Sequence, residues 1–211
     1  MQQMEEEADF TKTMEALKTK AFVGYGLMEL FGPSVMDFPQ VELQFGKYND
    51  RAVDVAKVKE LVDSFIENGV QQSLAKNAIP VEVDLKWIQN DVLVRSLEPD
   101  GDKSFKIPKV TFERTAPRTI PALGGQHRFQ AALALFKTFE GRGKEISNEL
   151  MRLKDYLGST PGLEERMPEE EMKKLKNEVK TWERSLQVMD RRRDNMRYWL
   201  VEFYDQCKSL L

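Results

Sequence analysis

Leu175, Val179, Trp182, Leu186, Met189, Arg193, Met196, Leu200, Phe203, Cys207 and Leu210 follow one another at alternating spacings of four and three. An apolar repeat averaging 3.5 residues, broken by a polar residue only at Arg193, predicts a helix with one continuous stripe that must bury against a second helix. Residues 141–211 therefore read as a helical appendage, either a long helical hairpin or a coiled-coil-like arm. Gly158-Ser159-Thr160-Pro161-Gly162 separates a shorter helix at 144–157 from the long one. The stripe at 172–210 would pack on that shorter helix, on a second copy of the chain, or on a protein partner. Cys207 sits on the stripe and reads as a buried structural thiol. Arg191, Arg192 and Arg193 are flanked by Asp190 and Asp194, which favours a salt-bridged helix face over a phosphate contact.

Upstream, residues 36–140 carry the signals of a mixed α/β (α+β) body. Val41 to Phe45 alternates apolar and polar residues, as does Pro80 to Ile88, and each predicts a strand. Val92 to Leu97, Val110 to Phe112 and Thr119 to Leu123 predict shorter ones. Between them Val55, Val58, Leu61, Val62, Phe65 and Ile66 lie on one helical face, with Asp54 as N-cap and Asn68-Gly69 as stop. A second helix is expected over Gln126 to Phe139. Residues 1–35 read as an N-terminal arm, because Gly24, Gly26, Gly32 and Pro33 predict a turn or loop.

Composition removes several classes of function. Lysine and arginine number 32 against 35 aspartate and glutamate, a net charge of −3, so bulk charge does not favour a DNA binder. One cysteine and one histidine leave no disulfide framework and no cysteine- or histidine-rich metal site. The longest apolar run, Ala131 to Phe136, is far shorter than the roughly 20 residues that span a bilayer. An acidic opening, Met1 to Phe10, lacks the basic start of a signal peptide. The chain reads as intracellular, cytoplasmic or nuclear, with no membrane partner.

The segment that carries chemistry is Gly124-Gly125-Gln126-His127-Arg128. Two glycines join a strand to a helix whose first turn holds a histidine and an arginine. First-turn N–H groups lack intrahelical partners, and the helix dipole adds positive charge there. Glycine lets a phosphate come close to the backbone, and a guanidinium can grip two of its oxygens. A tight turn with a surface histidine and arginine is the plainer alternative. Glu82 and Asp84 would share one strand face, where they could act as a general-base or metal pair or simply meet solvent.

The surrounding residues extend the pattern. Ile120-Pro-Ala-Leu-Gly-Gly-Gln-His-Arg-Phe-Gln-Ala-Ala-Leu133 resembles the Gly-Gly-Cys-His-Arg-Tyr-x-Ala-Ala segment of sulfiredoxins and the Gly-Glu-Arg-Arg-x-x-Ala box of ParB partition proteins. Val55-Ala-Lys-Val-Lys-Glu-Leu-Val-Asp-Ser-Phe-Ile66 is similar to the sulfiredoxin helix Pro-Ala-Lys-Val-x-x-Leu-Val-x-Thr-Ile, and Ile79 to Ile88 to the strand after it. The three segments occur in the family's order. The resemblance implies a ParB/sulfiredoxin-type mixed sheet over 36–140 with a nucleotide site.

Under that resemblance Lys57 stands at a phosphate-contacting helix lysine and Ser64 at a hydroxyl position on the same helix face. Gly124, Gly125, His127 and Arg128 form the phosphate loop, and Lys47, with Arg51 as a rival, matches a further basic position. Glu60 stands where sulfiredoxins carry a serine. Gln126 stands where they carry the catalytic cysteine, and an amide is no nucleophile. Sulfinic-acid reduction is therefore not expected.

The expectation is binding of ATP or another nucleoside triphosphate with Mg2+, with hydrolysis or phosphoryl transfer left open. Glu60 and Glu82 are the carboxylates to test as catalytic groups. The alternative is a non-enzymatic ParB-like adaptor or DNA-associated clamp. Against DNA stand the net charge and the absence of a helix-turn-helix after the box.

Overall fold

A computed structural model of the chain describes residues 19–31, 41–46, 52–89, 93–97, 106–159 and 167–209. Five strands, β1 (Phe22–Glu29), β2 (Glu42–Gln44), β3 (Ile79–Val83), β4 (Thr119–Pro121) and β5 (Tyr198–Asp205), combine with three long helices. These are α1 (Val55–Asn68), α2 (Gln126–Ser159) and α3 (Glu169–Met196), and a short helix α4 (Gln206–Ser209) follows β5. The architecture is α+β, with a small mixed sheet and a long helical hairpin. The chain divides into one unit of Met1–Ala131 with Arg197–Leu211 and another of Ala132–Met196.

The sheet of the first unit runs β1-β5-β3, with β1 antiparallel and β3 parallel to the central β5. β2 and β4 pair in parallel, and a bridge between Val81 and Ala122 joins them to β3. One sheet face carries Ile79, Val81, Val83, Val201 and Phe203, each with no exposed surface, and Trp199 at 1%. α1 rests on that face through Phe65, whose ring lies 6.1 Å from Trp199. The indole N–H of Trp199 donates to the Asn77 carbonyl at 2.9 Å, as a buried indole requires a partner.

Local signals hold where local chemistry sets the outcome. Asp54 caps α1, accepting from the Ala56 and Lys57 amides, and Gly69 ends the helix at φ +77°. β2 lies inside the alternating Val41–Phe45 segment and β4 inside the expected short strand Thr119–Leu123. β3 is shorter than the Pro80–Ile88 pattern predicts. Asp84 Oδ1 accepts from the Lys86 amide and the Asp84 carbonyl from the Trp87 amide, which turns the chain into a 3-10 helix at Leu85–Trp87. Around Val94, Val110 and Phe112 the described residues form single bridges and short backbone contacts in place of extended strands.

Three expectations are corrected. Residues 198–205 do not continue the helical appendage; they form β5, the middle of the sheet. Tyr-Trp-Leu-Val-Glu-Phe-Tyr is aromatic and β-branched, and a strand covered on both faces reads as a nearly unbroken apolar run. The first part of the glycine-rich stretch, with Gly24 and Gly26, lies in β1, and Gly32 and Pro33 fall outside the described residues. The glycines of β1 serve close packing, since a Cβ on Gly26 would stand 2.3 Å from Val110 Cγ2. Cys207 lies in α4 and is exposed rather than buried.

In the second unit α2 runs without interruption through Gly141 and Gly143 to Ser159, past the expected end at Phe139. Each glycine costs a helix interior only about 1 kcal/mol, which packing overrides. Arg192 lies over the Phe139 ring and Lys154 pairs with Glu183 at 2.7 Å, so α2 and α3 run antiparallel. Leu135, Leu150, Leu153 and Met172 are buried in this hairpin.

Candidate functional site

Three backbone bonds place the turn between β4 and α2. The Ala122 amide donates to the Gln44 carbonyl at 2.9 Å and the Leu123 amide to the Pro80 carbonyl at 2.8 Å. The Phe129 amide then enters the helical ladder, donating to the Gly125 carbonyl at 2.9 Å. The amides of Gln126, His127 and Arg128 come before the ladder and have no intrahelical carbonyl to reach. Gly125 has φ +82°, and a Cβ there would meet Ile79 Cγ1 at 3.2 Å. Both the left-handed backbone and the close strand demand glycine. Gly124 has ordinary space, with Pro80 Cγ 3.5 Å from a virtual Cβ. The Phe129 ring seats this start of α2 between Phe31 at 5.5 Å and Phe45 at 5.2 Å.

His127 reaches across to α1. Its Nε2 accepts the Asp54 amide at 3.0 Å. An amide can only donate, so Nε2 carries the lone pair and Nδ1 the proton. The Asp54 carboxylate meanwhile covers the N-terminus of α1, at 2.9 Å from the Ala56 amide and 3.2 Å from that of Lys57. Two helix N-termini thus meet at one hydrogen bond. That of α1 is closed by its own cap.

Arg128 is half-buried, and its Nη1 stands 3.5 Å from the Ala78 carbonyl, the long limit of a hydrogen bond. Among the described residues no carboxylate pairs with it. Gln126 Oε1 is buried and has no hydrogen-bond partner among the described residues. Leaving an acceptor so costs about 1–3 kcal/mol.

The remaining expected residues divide. Lys57, Glu60 and Ser64 lie exposed on α1, Lys57 in the first turn beside the Asp54 cap. Ser64 Oγ accepts from Asn68 Nδ2 at 3.4 Å. Lys47 and Arg51 fall outside the described residues. Glu82 does not share the turn. It is 3% exposed within β3, opposite Tyr204 of β5. The Asp84 carboxyl lies 2.6 Å from Lys86 Nζ and is held below its usual range mainly by that hydrogen bond. Among the described residues no three histidine, cysteine, aspartate or glutamate side chains gather as a metal site, and no helix is long and apolar enough to cross a membrane.

The one site feature invisible to linear reading is the pairing of Asp54 with His127 across 73 positions. Asp54 is legible only as a helix cap. No protein-family model, curated protein or solved structure matches this chain.

Proposed function

We propose that the Gly124–Arg128 turn binds the phosphate groups of a nucleoside triphosphate, ATP or a relative. The observation that carries this reading is the open first turn of α2, with a half-buried Arg128 that no described carboxylate neutralises. Phosphate at that position would accept from the early amides of α2 and from the guanidinium. Lys57, in the first turn of α1, would add a cation. The similarity of the turn and of α1 to sulfiredoxin segments supports the same assignment.

Magnesium would enter with the phosphates; Asp54, whose amide bonds His127 of the turn, is a carboxylate to test beside it. Hydrolysis would need a base; Glu60 is exposed along α1 and Glu82 is enclosed in the sheet. The proposal is a nucleotide-binding module. Gln126 supplies no nucleophile, so reduction of a sulfinic acid is not part of it.

Thermal denaturation with a panel of nucleotides, with and without magnesium, tests the reading. A triphosphate at 100 times its Kd adds about 2.7 kcal/mol to stability. Arg128→Ala removes a charge-assisted bond of about 1.5–3 kcal/mol, so affinity falls roughly 10- to 150-fold. Absence of any shift, or a destabilised Arg128→Ala variant with affinity preserved, would return the turn to a structural role.

A further inference from the structure

We propose that His127 is a proton-controlled latch on α1. With Nε2 unprotonated it clasps the first turn of α1 against the start of α2, and on protonation that first turn loses its anchor and loosens. His127 is the only histidine of the chain, and imidazole is the side chain whose unperturbed titration falls between pH 5 and 8.

α1 packs through a half-buried stripe of Val58, Leu61, Val62 and Phe65. None of its 14 residues is buried, and Val55 and Ile66 are 79% and 64% exposed. Its two ends are fastened differently. At the far end Phe65 rests on Trp199, and the chain beyond the helix is pinned where the Leu200 amide donates to the Gln72 carbonyl at 3.0 Å and Asn77 Nδ2 to the Gln71 carbonyl at 2.9 Å. Between helix and pin lies Gly69, at φ +77°. At the near end the bond from the Asp54 amide to His127 Nε2 ties the start of α1 to the start of α2.

Proton uptake at Nε2 sets two donors face to face. The charged residues next to this bond are Asp54, whose amide makes it, Lys57, whose amide donates to the Asp54 carboxylate, and Arg128, which follows His127 in the chain and whose Nη1 reaches the Ala78 carbonyl. The imidazolium is attracted to the Asp54 carboxylate, whose Oδ1 caps α1. Protonation thus removes the anchor and draws away the cap together. The latch does not depend on phosphate binding.

The test uses the full chain in phosphate-free buffer. Long-range proton–nitrogen spectra of the single histidine report its tautomer and titration, and amide exchange of α1, expressed as protection factors, reports the helix. The expected tautomer at high pH has Nδ1 protonated. On protonation, protection at Val58 to Leu61 drops about 2- to 12-fold, the worth of one hydrogen bond, while Val201 and Phe203 in β5 keep theirs. His127→Gln retains an acceptor and cannot titrate, so its α1 stays protected at both pH values. His127→Phe shows the low protection at both. An Nε2-protonated tautomer, pH-independent protection, a parallel loss in β5, or persistence of the pH effect in His127→Gln would each overturn the latch.

Discussion

Arg197 Nε donates to Glu29 Oε1 at 2.6 Å, joining residues 168 positions apart at the point where β1 ends and β5 begins. Both side chains are 28% exposed, and the Arg197 carbonyl also accepts the Leu30 amide at 2.9 Å. A pair so enclosed is costly to break from one side, because the remaining charge stays half-desolvated. Glu29→Gln is expected to destabilise the protein by about 1–3 kcal/mol. The double change Glu29→Gln with Arg197→Met should cost less than the two single changes added together. Urea midpoints of the four proteins measure this, and strict additivity would show that the two side chains are not coupled.

Glycine substitutions separate the roles of the glycines. Gly125→Ala forces a Cβ into a left-handed backbone beside Ile79, so a loss of about 1–2 kcal/mol is expected. Gly124→Ala should cost clearly less, since its virtual Cβ meets only ordinary contact. Gly141→Ala, inside α2 with nothing near the added methyl, should stabilise by up to about 1 kcal/mol. Melting temperatures that rank these three in another order would refute the geometry of the turn.

Alkaline stability follows from Tyr204. Burial first, then the Glu202 carboxylate that accepts from its hydroxyl at 3.2 Å, pushes this phenol up to about 12 from an ordinary value near 10. Tyr25, opposite Glu202 on β1, is raised as well, again with burial as the larger cause. The folded protein keeps these protons where the unfolded chain releases them. Their contribution is therefore complete below pH 10 and is lost as pH climbs toward 12. Denaturant midpoints between pH 9 and 12 should fall, and Tyr204→Phe should flatten the fall. An equal slope in the variant would exclude Tyr204 as its source.

The position of β5 gives a sharp test of the sheet. A chain ending at Met196 loses the strand that pairs with both β1 and β3, so it should lose cooperative melting of the first unit. In the intact chain, Phe203→Ala should cost about 3–5 kcal/mol, because this side chain has no exposed surface. A truncated protein that retains its near-ultraviolet circular dichroism would instead place the strand outside the core.

Elements governed by neighbours in sequence were legible from the residues alone. Asp54 and Gly69 bound α1 as their chemistry predicts, and the glycine pair marks the start of α2, because caps and stops act over three or four residues. The candidate turn, residues 124–128, is legible for the same reason. β1 and β5 were not. The four-three spacing that predicts helix through Leu200 and Phe203 is equally met by a strand in which every residue from Trp199 to Val201 is buried, and periodicity cannot separate the two. What selects the strand is the company of β1 and β3, more than a hundred residues earlier in the chain. Likewise, His127 and Asp54 acquire their relationship only when the sheet closes and brings two helix starts together. Rules that span a single turn of backbone can be read along a chain, whereas hydrogen bonds between distant segments exist only once folding has placed them side by side.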